Sequence, residues 1–303
     1  MNNKMARERP GNSDDAYPGT AVGFLQWALP KLGYRWAGYR KPRRQVIRRI
    51  RSLMADTGCT SYADYARLLE RNPEEWKRLD ASCDITISRF FRDRKLWDQL
   101  RDDVFPELIA ARRPEPLQIW SAGCCNGEEA YSAAIMLMEN AGQDSIGQKP
   151  ENPGQILATD RNPEVLRRAE SAFYSPGSLK EATANEKQKW FEFEAGIDKS
   201  DHVRAGAAGC RVRPEVRRLV TFRQLDISKK MPDTIFDIIF CRNLVFTYFT
   251  EERQFTALES FAERMQSNGY LITGSHEKLP DCALSARFEM VTSCLYKLSD
   301  GKE

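Results

Sequence analysis

A short, mostly apolar run, Leu117-Gln118-Ile119-Trp120-Ser121-Ala122, empties into Gly123-Cys124-Cys125-Asn126-Gly127 and then into Glu128-Glu129-Ala130-Tyr131-Ser132. Apolar residues followed by glycine-punctuated polar ones and then by an acid-headed apolar-periodic run predict strand, tight loop and helix. That geometry brings bare backbone close to a nucleotide-like ligand, because glycine at the turn removes the side chain that would hold the ligand off. Gly123 and Gly127 do not complete the G-x-G-x-x-G spacing of a dinucleotide site, so by itself the loop is also compatible with a plain strand-to-helix turn.

The same order of pieces recurs. Gln155-Ile156-Leu157-Ala158-Thr159-Asp160 is a second apolar run, ending in a carboxylate able to grip ribose hydroxyls, and Asn162-Pro163-Glu164 then supplies an N-cap with proline at the first helical position. Val220 to Asp226, Phe236 to Asn243 and Gly269 to Gly274 are further short strands ending in polar side chains. Strands alternating with helical stretches predict a mostly parallel sheet whose ligand lies beyond the carboxyl ends of the strands, where Asp160, Gln224 and Asn243 would sit. Fold class is therefore α/β, Rossmann-like, preceded by a small all-α domain.

In that N-terminal part, Val46, Ile47, Ile50, Leu53 and Met54 fall on one face of a helix over 43–57, with Arg44, Arg48, Arg49 and Arg51 largely on the other. Ser61 to Asp64 and Asn72-Pro73-Glu74-Glu75 are capping signatures for two more helices. From Ala16 to Ala55 there is no Asp or Glu, while Lys31, Arg35, Arg40, Lys41, Arg43, Arg44, Arg48, Arg49 and Arg51 are cationic, so the net charge of +3 conceals a strong asymmetry. An acidic partner is implied; nucleic acid would answer to the same charge, and a solvated helix face is the plain alternative. A further helix, 94–111, carries Leu96, Trp97, Leu100, Val104, Phe105 and Leu108 at core spacing before Arg112-Arg113-Pro114-Glu115-Pro116 breaks the chain.

The domain reading is a polar, disordered tail over 1–19, a basic helical domain over 20–92, a connecting helix and linker over 93–116, and the sheet domain over 117–303. Composition, 41% hydrophobic, supports a buried core, and no apolar stretch reaches membrane length. Eight cysteines without a C-x-x-C pair and two histidines give no metal signature, and fit a reducing, cytoplasmic setting. Cys124 and Cys125 are read as small core hydrophobes.

Between Leu32 and Leu298 the sequence resembles the chemotaxis receptor methyltransferases (CheR), which transfer a methyl group from S-adenosylmethionine to glutamate side chains. The resemblance is carried, in the family's order, by Ile85-Thr86-Ile87-Ser88-Arg89-Phe90-Phe91-Arg92-Asp93, the Trp120 to Gly123 loop with Gly127-Glu128-Glu129-Ala130-Tyr131-Ser132, Ala158-Thr159-Asp160, and Phe236-Asp237-Ile238-Ile239-Phe240-Cys241-Arg242-Asn243. It implies a class I methyltransferase fold, S-adenosyl-L-methionine as cofactor, and a small antiparallel subdomain inserted near 180–218; a monomer is expected. It implies that Thr86, Ser88, Arg92 and Gly123 line the donor site, with Arg92, read as lying on a helix beside Phe90 and Phe91, also orienting the acceptor. Glu129 would meet the methionine portion, Asp160 the ribose, and Gln224, Leu225, Asn243 and Leu244 the adenine and sulfur. Tyr248 would be the active-site tyrosine. The basic helical domain would face acid-rich receptor helices.

The chain departs from the family pattern at several points. Leu244-Val245-Phe246-Thr247 places one residue more between Asn243 and Tyr248 than family members usually have. Gly274-Ser275-His276-Glu277 rearranges the usual Gly-His-Ser-Glu, Ala130 replaces a proline, and Gln224 replaces an asparagine. The expected activity is a protein-glutamate O-methyltransferase; the alternatives are the same fold acting on nitrogen, RNA or a small molecule, or an adaptor that binds the donor without turnover. Methyl transfer from sulfonium to a carboxylate needs no general base, so scarce histidine is no obstacle.

Overall fold

A computed structural model describes residues 17–141, 153–194 and 209–299. The polar tail expected over 1–19, apart from residues 17–19, lies outside the described residues; so does, apart from 153 and 154, the stretch Gly142 to Gly154, which the sequence reads as a polar surface loop. The chain divides after Ile85 into two compact units.

The first unit is all-helical: α1 (Ala21–Lys31), α2 (Trp36–Tyr39), α3 (Arg43–Asp56), α4 (Tyr62–Arg71) and α5 (Pro73–Ser82). Thr20 caps α1 by accepting from the Gly23 N–H. Ser61 and Asp64 form a reciprocal capping box at α4, and Asn72 caps α5 with Pro73 in the first turn. The apolar stripe of α3 (Val46, Ile50, Leu53, Met54) is buried, whereas Arg43, Arg44, Arg48 and Arg51 are exposed. Arg49 turns back to the Ser82 and Asp84 carbonyls. A buried Tyr65 hydroxyl donates to Glu75, which also pairs with Arg78 at 2.9 Å.

The second unit begins with the segment 86–93 and a helix interrupted by a π turn at Leu100–Val104: α6 (Arg94–Gln99) leads in and α7 (Phe105–Arg112) leads out. There follow β1 (Leu117–Ala122), α8 (Glu128–Asn140), β2 (Gly154–Asp160), α9 (Pro163–Ser171), β3 (Phe173–Tyr174), α10 (Ala184–Trp190), β4 (Phe191–Glu194), β5 (Gly209–Val212), α11 (Pro214–Arg217), β6 (Val220–Gln224), β7 (Phe236–Phe240), α12 (Val245–Tyr248), α13 (Glu251–Glu263), β8 (Met265–Ile272), β9 (Phe288–Thr292) and β10 (Leu295–Leu298). The main sheet has the order β6-β2-β1-β7-β8-β10-β9. Its first five strands are parallel, as apolar runs separated by helices require, and β10 and β9 close it antiparallel. β3, β5 and β4 form a separate antiparallel sheet that starts at Phe173, earlier than the subdomain expected near 180–218.

Two differences from the sequence reading have one cause. The first unit ends at Ile85 rather than 92, and α6–α7 belongs to the sheet unit rather than linking two domains, because Phe90, Phe91 and Trp97 are buried in its core. Trp97 stacks on Phe240 of β7 (centroids 5.4 Å apart, planes 15° apart), and Phe91 meets Trp97 edge-on at 5.9 Å. Aromatic burial on this scale fixes α6 against the central strand.

Candidate active site

Strand order reverses at β1, whose neighbours β2 and β7 lie on opposite sides, so the loops leaving β1 and β7 flank the crevice where ligands of open parallel sheets bind. Gly123 takes φ +76°, and a Cβ there would stand 2.5 Å from Leu244 Cδ2. The two loops are thus in contact only because residue 123 has no side chain. Gly127, at φ +88°, is closed in by Ala169, Phe222 and Tyr174 in the same manner. Asp160 ends β2 beside the loop, its carboxylate accepting from the Cys125 N–H (3.0 Å) and the Asn162 N–H (2.9 Å). Cys124 and Cys125 are buried, and desolvation pushes both thiols up, away from the reactive thiolate form.

Arg92 is not on a helix. Residues 84–93 are irregular, with Phe91 and Asp93 in the left-handed region (φ 52° and 66°) and α6 starting only at Arg94. Tertiary bonds override the local pattern. The Phe90 N–H donates to the Ser178 carbonyl, the Phe91 N–H to Ser132 Oγ, and the Asp93 N–H to Glu181. The Arg92 carbonyl accepts from Trp97 Nε1 (3.0 Å) and Arg242 Nη2 (3.1 Å), while its own guanidinium meets the Ile87 carbonyl. Among the described residues that guanidinium forms no ion pair, yet its charge is felt by Glu129 and by Tyr248, lowering the proton affinity of each. Thr86 and Ser88 are partly buried in the same segment, and Ser88 acts to lower the proton affinity of Glu128.

Glu129 accepts from Ser121 Oγ at 2.7 Å and faces Arg242 Nη1 at 3.5 Å. Burial pushes its carboxyl up, and Arg242 opposes that shift. The Arg242 side chain is 4% exposed, shared between Glu129 and Asp93, and its Nε has no partner among the described residues. Glu128, adjacent, is buried and raised to about 7 by desolvation; its Oε2 likewise lacks a partner among the described residues.

Beyond β7, Asn243 stands at φ 54° and donates its N–H to Glu277 Oε2 (2.7 Å). Tyr248 closes the short helix α12, partly buried, with its phenol raised by desolvation and by Glu277 and lowered by Arg92. The Leu225 N–H bonds the Asp160 carbonyl, aligning the ends of β6 and β2, but the exposed Gln224 turns its amide to the Arg161 carbonyl. Thr86, Ser88, Arg92, Gly123, Glu129, Asp160, Leu225, Asn243, Leu244 and Tyr248 therefore lie on segments tied to one edge of the sheet, with Gln224 at its rim. His276 is exposed. Sequence reading did not assign roles to Arg242, Asp93 or Glu277. Arg242 lay inside a quoted motif, and a cation placed directly after the mostly apolar strand run Phe236 to Cys241 was the available signal.

A nucleoside donor fits this edge: the bare backbone of the Gly123 loop, a strand-end carboxylate at Asp160 and the two acids at the start of α8, Glu128 buried and Glu129 partly so, provide close backbone, a hydroxyl acceptor and groups for a cationic amine. Among the described residues no cluster of His, Cys, Asp and Glu is arranged to hold a metal ion, and no helix is long and apolar enough to cross a membrane.

The family model described as CheR methyltransferase, SAM binding domain, matches residues 86–296, and that described as CheR methyltransferase, all-alpha domain, matches residues 32–79. Fold and site together define an S-adenosylmethionine-dependent methyltransferase. The chain is 32% identical over 235 residues to the chemotaxis protein methyltransferase of Listeria innocua, covering 78% of this chain and 81% of that one. It is 32% identical over 260 residues to that of Escherichia coli, covering 84% and 81% respectively. It belongs to the CheR methyltransferase family.

Proposed function

We propose that the chain methylates the carboxylate of protein glutamate side chains, using S-adenosyl-L-methionine, on an acidic receptor-like partner. When bound, the donor supplies an electrophilic methyl group on a sulfonium. The chain's own residues then have three tasks: to hold the two reactants in line, to exclude water, and to orient an anionic acceptor. The donor would supply the methyl group and keep the electron pair of the broken bond on its sulfur, while the chain's residues need only present a carboxylate oxygen, already a nucleophile, in line with it. No proton is transferred, so a site without a histidine base is sufficient.

The observation that carries this reading is the Arg92 guanidinium. It has no carboxylate partner among the described residues, yet its charge reaches both Glu129 on the donor side and Tyr248. A cation so placed is suited to an incoming carboxylate and poorly suited to a neutral amine or a base edge. Thr86, Ser88, Gly123, Glu129, Asp160, Leu225, Asn243 and Leu244 would hold the donor, with Gln224 reaching its adenine from the rim. Tyr248 would stand beside the acceptor. The exposed cations of α3 suit an acid-rich partner, and the family's work on chemoreceptors fits a cytoplasmic setting.

The test uses purified chain, methyl-labelled donor and receptor-like acidic helices. Wild type is expected to yield label released as volatile methanol by mild base, and Arg92→Ala to lose about a hundredfold or more in kcat while still binding S-adenosylhomocysteine. A base-stable or RNase-sensitive label would reject carboxylate methylation.

A further inference from the structure

We infer that Glu277 is a positioning residue of the methyl-transfer site, a conclusion that rests on the donor-site reading above. Its side chain, 3% exposed, joins the two strand ends that border the crevice. Oε2 accepts from the Asn243 N–H after β7 (2.7 Å) and from the Gly274 N–H after β8 (2.6 Å), while Oε1 accepts from Thr247 Oγ1 in α12 (2.6 Å). Three short bonds converge on one buried anion, the arrangement that makes charge-assisted hydrogen bonds strong and geometrically selective.

The tether acts at both ends of the loop. At its start, Asn243 is held in a left-handed conformation and is followed by Leu244, which packs on Gly123. At its end, Thr247 immediately precedes Tyr248. Gly274 allows the approach, since a Cβ there would fall 2.4 Å from Asn243 Nδ2 and 2.9 Å from Glu277 Oε2. This also accounts for the residue that this chain has in excess between Asn243 and its tyrosine. The loop turns into α12, and the hydroxyl of Thr247 is captured by the same carboxylate that holds Asn243, so the extra length is anchored at both ends. Glu277 itself contacts no position assigned to a reacting atom; it acts through Asn243, Leu244 and Tyr248.

The two ends predict different kinetic signatures. Thr247→Val releases only the tyrosine end and is expected to lower kcat about tenfold, with affinity for S-adenosylhomocysteine within about twofold of wild type. Glu277→Ala releases both ends and is expected to lower kcat and donor affinity alike, each by about tenfold or more. Glu277→Gln keeps one carbonyl oxygen for the two N–H donors, and should restore donor affinity to within a few-fold while leaving kcat depressed. Binding is read by calorimetry, turnover by labelled methyl, and folding by thermal denaturation. Wild-type kcat in folded Thr247→Val, or wild-type binding and turnover in folded Glu277→Ala, overturns the inference; if Glu277→Ala does not fold, Thr247→Val and Glu277→Gln decide it. Failure of the wild type itself to bind S-adenosylhomocysteine would instead reject the donor-site reading.

Discussion

Replacing Glu128 by Gln tests the electrostatics of the donor edge without touching the sheet. Glu128 opens α8, where the helix dipole favours a negative charge by about 1 kcal/mol at most. Burial wins over that term: the residue is 2% exposed and its carboxyl is raised from 4.5 to about 7, with Ser88 and Ser178 only partly opposing the shift. In the unfolded chain the carboxyl loses its proton near the ordinary value, and in the folded chain only near neutrality. Across that window the folded state binds more protons, so the contribution of Glu128 to stability is complete below pH 4.5 and declines as pH rises to about 7. At about 1.4 kcal/mol per tenfold change in proton affinity, the loss amounts to roughly 3 kcal/mol. Glutamine has no charge to bury and escapes that loss. Urea denaturation at pH 5 and pH 8 should show the stability of Glu128→Gln gaining on wild type by about 2 to 3 kcal/mol between the two conditions. A difference that stays constant with pH would refute the reasoning, because a purely steric effect of the substitution does not titrate.

Gly123→Ala forces a side chain into the left-handed region and onto Leu244, so a stability loss of about 1 to 2 kcal/mol, together with weakened binding of S-adenosylhomocysteine, is expected from thermal denaturation and calorimetry. Unchanged binding would mean that the two loops need not touch. Trp97→Ala empties the space between Phe91 and Phe240 and should destabilise the sheet unit by about 3 to 5 kcal/mol in denaturant titration; a cost under about 1 kcal/mol would show that α6 is not held by its indole.

Strand ends and helix starts were legible because they depend on near neighbours. Asp160 after an apolar run, Asn72 and Asn162 before proline, and Ser61 three residues ahead of Asp64 carry their physical reason within a few positions. The antiparallel β9 and β10 were not read, since strands alternating with helices suggest parallel pairing and Glu289, Met290 and Val291 lack a clean alternation of burial. Arg92 was misplaced on a helix because no glycine or proline marks the break; the left-handed turns at Phe91 and Asp93 are imposed by Ser132 and Glu181, 41 and 88 residues away. Glu277 stayed hidden for a similar reason. Within Ser275-His276-Glu277-Lys278 it reads as one acid of a polar surface loop, and only folding brings two of its three donors from 30 and 34 residues upstream.

One carbonyl oxygen, that of Arg92, accepts from both Trp97 and Arg242, which belong to elements 145 residues apart in sequence by the difference of their numbers. Two distant positions thereby share a single molecular fulcrum, and a change at either alters what the other is worth. Drift at the two sites should be epistatic, so that lineages replacing the indole or the guanidinium would be expected to change both or neither.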